Sequence, residues 1–149
     1  MSQERLTFEV VLSGTYWDKK PQFSVWVDDH VVVQSEIAEP NVPQPISFKR
    51  ELDEGSHQLK VRLENKTDQD TKVVDDEVIK DMLLNIEDII IDDISLGSLC
   101  WDATYILDKP HEFQGETINH LDQCVNLGWN GTYILKFSTP FYIWLLEKL

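Results

Sequence analysis

The feature that most constrains this chain is the run at residues 83–97, LLNIEDIIIDDISLG. Apolar residues recur there at every second position and form one row: Leu84, Ile86, Ile90, Ile94 and Leu96. Asp88 and Asp92 interrupt this row, while Ile89 and Ile91 lie on the opposite parity. A period of two in a β-branched sequence is typical of a strand. The run therefore predicts a central strand, part of which is covered on both sides.

Shorter alternating runs precede it, at residues 6–12, 23–27, 31–34, 46–52 and 57–64. Asp28-Asp29 separates two of these runs and predicts a hairpin turn. Pro40, Pro43 and Pro45 exclude a central strand between them, because proline cannot donate to a sheet ladder. The first two thirds of the chain thus consist of short predicted strands joined by turns.

The last third is less regular. Residues 103–107 and 132–137 are predicted strands, whereas the polar residues 111–123 are predicted to form a loop or a short helix. Asn130-Gly131 is the strongest short hairpin signal in the chain. The apolar C-terminal residues 141–149 fit either a strand or a terminal helix.

Together these patterns predict an all-β fold, an antiparallel β-sandwich of the jelly-roll kind. The length of 149 residues fits one domain, 1–149. We expect a module-like core at residues 6–97 and a C-terminal extension, 98–149, that adds strands.

The charge distribution is strongly acidic. The formal net charge is −14, and residues 64–93 hold eleven acidic residues against three lysines. The negative electrostatic potential of such a segment repels a phosphate backbone, so we expect no nucleic-acid partner. No apolar run reaches the length of a membrane span, and no signal-peptide core follows Met1. We therefore expect synthesis in the cytoplasm, with Cys100 and Cys124 reduced.

Carboxylates crowd the segment before the central strand, and this pattern indicates a divalent cation. Hard oxygen donors suit calcium, and the predicted ligands are Asp68, Asp70, Asp75 and Asp76. The segment is not an EF-hand, because Lys72 and Val73 occupy positions that need an acidic residue and glycine. A solvated acidic loop without any metal is the alternative.

Four aromatic residues lie in predicted loops beside glycine, aspartate or asparagine: Tyr16, Trp17, Trp101 and Trp129. Exposed rings of this kind can stack against sugar rings while their neighbours bond hydroxyl groups. The alternative is that each ring caps an end of the sandwich. Trp26 and Trp144 lie within apolar runs and are expected to be buried.

No nucleophile elbow, phosphate-binding loop or dinucleotide fingerprint is present in the sequence. His111 and His120, followed by Cys124, do not have the spacing of a zinc motif, so we expect surface histidines. We therefore predict that the protein is not an enzyme.

Three segments in order, FSVWVDD, SHQLKVRLENKTDQD and IIIDDISLG, resemble the calcium-dependent, xylan-type carbohydrate-binding modules. Those modules are β-sandwiches with a variable-D-G hairpin, an H-x-(L/V)-x-V-x-(F/L)-x-N strand, an acidic metal loop and a V-D-x-I strand. The matching positions are Val27-Asp28-Asp29, residues 57–65, Asp68 with Asp70, and Ile91-Asp92-Asp93-Ile94. The resemblance implies noncatalytic, calcium-dependent binding of a polysaccharide.

Sandwich modules with added C-terminal segments are also similar to small virion structural proteins of tailed bacteriophages. This second resemblance implies a virion component, made in the host cytoplasm, with other virion proteins as partners. Two hypotheses follow, a carbohydrate-binding module and a virion assembly protein. In the second, residues 141–149 would pack against another copy to form a homo-oligomer.

Overall fold

The structure is a computed structural model that describes residues 3–149. These residues form thirteen strands, one α-helix and two 3-10 turns. In chain order the strands are β1 (Gln3–Thr15), β2 (Gln22–Val27), β3 (His30–Glu36), β4 (Gln44–Asp53), β5 (Gly55–Leu63), β6 (Lys72–Val74), β7 (Glu77–Lys80), β8 (Leu83–Ile91), β9 (Ile94–Ser95), β10 (Thr104–Phe113), β11 (Glu116–Asp122), β12 (Asn126–Leu127) and β13 (Gly131–Thr139). The 3-10 turns are Asp68–Asp70 and Gly97–Asp102, and the helix is α1 (Phe141–Lys148).

Two antiparallel sheets enclose one hydrophobic core. The first sheet has the order β12-β8-β1-β4, with β9 paired to β8. The second has the order β11-β10-β13-β5-β2-β3, and β6 and β7 form a separate two-stranded hairpin. The prediction of an all-β, antiparallel sandwich is confirmed.

The core is built from the inward-facing residues of strands in which buried and more exposed positions alternate. Leu6, Phe8, Val10 and Leu12 on β1 are buried, and so are Leu59, Val61 and Leu63 on β5. Each such side chain stabilises the fold by roughly 1.5–3 kcal/mol relative to an exposed position. β13, the neighbour of β5 in the second sheet, adds Tyr133, Leu135 and Phe137, which are also buried.

The run at residues 83–97 is a strand followed by a tight turn. β8 lies inside its sheet, between β12 and β1, as predicted. The pairing shifts between Val11–Asp88 and Leu12–Ile86, which leaves one extra residue on β8. This bulge moves the buried set from Leu84 and Ile86 to Ile89 and Ile91. The predicted single row is therefore wrong after Ile86.

Paired aspartates form the turns of three hairpins, and one of these turns, Asp28-Asp29 between β2 and β3, was predicted. Asp92 and Asp93, between β8 and β9, have positive φ angles of 49° and 64°. Asp75 and Asp76, between β6 and β7, have φ angles of 53° and 64°. Positive φ at both central residues is characteristic of the hairpin turn that matches strand twist, and aspartate tolerates this conformation.

The last third of the chain departs most from the predictions. Residues 111–123 mostly belong to the hairpin of β10 and β11, not to a loop or helix, and Gln114-Gly115 forms its turn. Asn130-Gly131 does not close a hairpin, because β12 belongs to the first sheet and β13 to the second. Of the two alternatives for the C-terminus, the helix is the one formed. Within residues 3–149, no helix is long and apolar enough to cross a membrane.

Candidate functional site

A cleft of about 740 Å³ opens at one end of the sandwich. Its walls come from three places that are distant in sequence, the segment after β5, the middle of β10 and the residues before β13. The lining residues lie within 66–73, 108–111 and 129–130. The cleft thus gathers part of the acidic segment and one of the predicted ligand-binding tryptophans.

Trp129 and His111 form a stacked pair in this cleft. Their ring centroids are 4.1 Å apart and their planes differ by 11°. Both side chains are half-buried, and both line the cleft. We predicted Trp129 from its loop context, but His111 was expected to be an ordinary surface histidine. No sequence signal marks it, because the two residues are 18 positions apart and their contact depends on the tertiary fold.

The wall opposite the aromatic pair is held by an amide. Asn130 Oδ1 accepts a hydrogen bond from the Lys66 backbone N–H at 2.8 Å, and Asn130 Nδ2 donates to the Lys66 carbonyl at 2.9 Å. The side chain thereby joins the start of β13 to the segment after β5. At the rim, Arg62 Nη2 donates to Asp108 Oδ2 at 2.9 Å.

Asp81 closes the base of the β6–β7 hairpin. Its Oδ1 accepts hydrogen bonds from Lys66 Nζ at 2.6 Å, Thr71 Oγ1 at 2.7 Å and the Met82 N–H at 2.8 Å. Burial alone would raise the pKa of Asp81, but these three donors and the Lys66 charge lower it overall.

Asp70 forms a similar cluster. Its Oδ2 is 2.9 Å from Lys19 Nζ and accepts hydrogen bonds from the Thr67 N–H at 2.7 Å and Thr67 Oγ1 at 3.1 Å. Burial opposes ionisation, yet Lys19 and Thr67 together lower the pKa of Asp70. Trp17 Nε1 donates to the Asp70 carbonyl at 2.9 Å, and Lys80 Nζ lies 5.2 Å from the centroid of the Trp17 ring.

The structure brings some of the predicted aromatic residues together and separates others. Trp129 lines the cleft, whereas Trp17 lies beside Asp70 in the same acidic segment. The Tyr16 hydroxyl is 3.5 Å from the Ala38 carbonyl, and Trp101 is exposed on the 3-10 turn Gly97–Asp102. Neither of these two lines the cleft. Of the remaining tryptophans, Trp144 is buried, but Trp26 is only half-buried.

The predicted metal ligands are also dispersed. Asp68 lines the cleft, Asp70 is paired with Lys19, and Asp75 and Asp76 form the exposed hairpin turn. In the part of the chain that the structure describes, no three side chains of His, Cys, Asp or Glu converge as a metal-binding group. Calcium takes about six to eight oxygen ligands, and this donor arrangement does not fit it. The assignment of calcium to these four residues stays a prediction.

Two solved structures share this fold. One is vCBM60 in complex with galactobiose, with a TM-score of 0.56 over 87% of this chain and 96% of the other, at 9% identity. The other is a selenomethionine form of vCBM60, from work on two families of calcium-dependent carbohydrate-binding modules, with a TM-score of 0.54 over 87% and 89% of the chains, at 11% identity.

No protein-family model and no curated protein matches the chain. The likeness to vCBM60 establishes a shared β-sandwich of the carbohydrate-binding-module type. At such low identity it does not transfer the ligand or the metal.

Proposed function

We propose that this chain is a noncatalytic carbohydrate-binding protein that takes a polysaccharide segment into the cleft beside Trp129. The observation that carries the proposal is the stacked pair of Trp129 and His111 in a concave, polar-rimmed site. Sugar rings have apolar faces and polar edges. A site for them therefore needs a flat aromatic surface surrounded by hydrogen-bonding groups.

The groups around the pair have the required chemistry. Thr67, Asp68 and Lys109 line the cleft and are exposed, so they supply hydroxyl, carboxylate and ammonium groups to sugar hydroxyls. The Lys66 backbone and Asn130 bond each other and keep the opposite wall in place. The shared fold with vCBM60, which was solved with galactobiose, supports the same class of ligand.

The test is calorimetric titration of the chain with galactobiose, followed by a glycan array to find better ligands. Trp129→Ala should weaken binding at least tenfold, about 1.4 kcal/mol. Trp101→Ala is the matched control, because Trp101 is exposed outside the cleft and its removal should leave affinity unchanged. Equal affinity of the two variants, or no binding to any glycan by the native chain, would refute the proposal.

A second candidate function, assembly of a virion or another homo-oligomer, is supported by α1. Its buried side, with Phe141 and Trp144, packs on the sandwich, while Ile143 and Leu146 are 56% and 71% exposed. Exposed apolar residues on one helix are a feature of interaction surfaces. Sedimentation of the native chain and of Leu146→Glu tests this candidate. A dimer or larger species that the substitution dissociates would support it, and a monomer at all concentrations would refute it.

The phage origin and the virion location stay predictions, as does the absence of a nucleic-acid partner. Calcium dependence is not part of the proposal, because Asp70 and Asp81 are paired with lysines and, within residues 3–149, no three metal-binding side chains converge.

A further inference from the structure

Two lysines join the acidic segment, defined here as residues 67–82, to the rest of the molecule. Lys66 immediately precedes the segment, and Lys19 comes from the connection between β1 and β2. The Lys66 side chain is only 9% exposed, and that of its partner Asp81 is 28% exposed. The side chain of Asp70, the partner of Lys19, is 7% exposed. Such burial is unusual for aspartate and lysine, which are rarely removed from water unless paired.

The Lys66–Asp81 pair acts at the ends of the segment. The two partners are 15 positions apart in the chain, and the whole β6–β7 hairpin lies between them. The pair therefore closes a loop at its base. The Lys19–Asp70 pair acts at a different point, because it attaches the 3-10 turn Asp68–Asp70 to the β1–β2 connection.

One oxygen of each of these carboxylates already has three donors. One oxygen of Asp81 accepts from an ammonium, a hydroxyl and a backbone amide, and one oxygen of Asp70 accepts from the same three kinds of group. A divalent cation that took either oxygen would displace the ammonium. Lys66 would then be left as a buried charge without a partner, which is strongly unfavourable.

In calcium-binding loops, a cation holds carboxylates from a flexible segment in one geometry. Here one ammonium group lies against the buried Asp70 and another against the partly exposed Asp81. We infer that Lys19 and Lys66 replace a divalent cation in this chain, so that its acidic segment is ordered without calcium. The vCBM60 module has the same fold and comes from work on calcium-dependent modules. The inferred use of lysines in place of a cation would therefore distinguish two proteins of one fold.

A corollary, which rests on the proposed function, concerns the ligand. Residues 66–73 form one wall of the cleft, and Lys66 lies at the start of that wall. Lys66 is therefore a positioning residue. Sugar binding should proceed unchanged in the presence of a chelator.

The first experiment measures the Tm of the native full chain in excess EDTA and in millimolar calcium chloride. A ligand that binds the folded state raises Tm by mass action, so a calcium site would give a shift of several degrees. We expect the Tm in calcium and in EDTA to differ by less than about 1 °C. A difference this small means that millimolar calcium fills no site on the folded protein. A larger shift, or heat of calcium binding in calorimetry, would overturn the inference.

The second experiment removes the internal cation. Lys66→Met should lower Tm equally in EDTA and in calcium. Lys66→Arg should lower Tm much less than Lys66→Met does, because arginine retains the positive charge. Lys72→Met is the matched control, an exposed lysine on β6 in the same segment, and it should leave Tm unchanged. If Lys66→Met is as stable as Lys72→Met, or if calcium restores its Tm, the inference is wrong.

The third arm separates this inference from the proposed function. Galactobiose affinity is measured in EDTA and in calcium. Equal affinity in both supports the corollary, and affinity that EDTA abolishes refutes it. If galactobiose and arrayed glycans fail to bind in both buffers while Tm ignores calcium, the proposed function is refuted and the inference about the two lysines stands.

Discussion

Asn130 pairs with the backbone of Lys66 as an adjacent strand would, donating to its carbonyl at 2.9 Å and accepting from its N–H at 2.8 Å. A side-chain amide has the same donor and acceptor as a peptide group, so it can replace one rung of a sheet ladder. The residue that sequence reasoning assigned to a hairpin turn is instead a link between two distant segments. This link fixes the cleft wall that begins at Lys66.

Asn130→Ala should therefore destabilise the protein by about 1–3 kcal/mol, since it leaves two partly buried backbone groups without partners. Urea unfolding at neutral pH measures the change. Asn126→Ala is the control, because Asn126 is exposed and its side chain makes no hydrogen bond in the described structure. Equal stability of the two variants would contradict the structural role of Asn130.

His111→Ala should weaken galactobiose binding about three- to tenfold, because the Trp129 ring loses its stacked partner and becomes less well oriented; such aromatic pairs contribute roughly 0.5–1.5 kcal/mol. Calorimetric titration measures the loss. His120→Ala, an exposed histidine on the neighbouring strand β11, should bind like the native chain. If both histidine variants bind alike, the imidazole is not part of the site.

From the contacts of His57 we predict that the stability of the fold decreases as the pH rises. Nδ1 lies 2.7 Å from Asp28 Oδ2 and Nε2 lies 2.6 Å from the Asp53 carbonyl, so both ring nitrogens face acceptors. Burial alone would lower the pKa of His57, but the Asp28 carboxylate and the Asp53 carbonyl raise it overall. Its stabilisation is therefore complete below the ordinary histidine pKa of about 6.5 and is lost as pH rises through the raised value.

The free energy of unfolding in urea should accordingly decline as the pH rises above about 6.5. His57→Gln should flatten that decline, while replacement of the exposed His30 by glutamine should leave it unchanged. A native profile without any decline would show that protonated His57 does not stabilise the fold.

From the contacts of Asp70 and Asp81 we predict that the stability of the fold also decreases as the pH falls. The pKa of each is lowered in the folded protein, so their stabilisation is complete above the ordinary aspartate pKa of about 3.9 and is lost as pH falls through the lowered values. Asp81→Asn should reduce the loss of stability as the pH falls below about 3.9, measured by urea unfolding. Asp75→Asn is the control, because asparagine also tolerates the left-handed turn conformation. The same slope in both variants would refute the role of the Lys66–Asp81 pair.

The sequence was sufficient to predict the strands that have one clear apolar parity, because alternation reports directly which side of a strand is buried. It was not sufficient for β8, where a bulge opposite Val11 and Leu12 changes the buried parity after Ile86. It also failed for the second half of β10 and for β11, whose residues are mostly exposed. Such strands are held in the sheet by backbone hydrogen bonds and not by a buried row of apolar side chains.

The candidate site was only partly predictable for a related reason. Trp129 could be selected from its own neighbours in sequence. The stacking of His111 on it and the pairing of Lys19 with Asp70 join residues that are far apart in the chain. Charge composition indicated a cation for the acidic segment, but it could not indicate that lysine side chains would be bonded to the carboxylates.

Every residue of β6 and β7 is exposed, and their hairpin is anchored through the Lys66–Asp81 pair at its base. Substitutions within β6 and β7 therefore meet little selection from folding. Insertions and deletions there should be tolerated as well, since Asp75-Asp76 can be replaced by any short turn. We expect relatives of this protein to differ first in the length and composition of this hairpin, and protein engineers to find it the safest place to graft a new recognition loop.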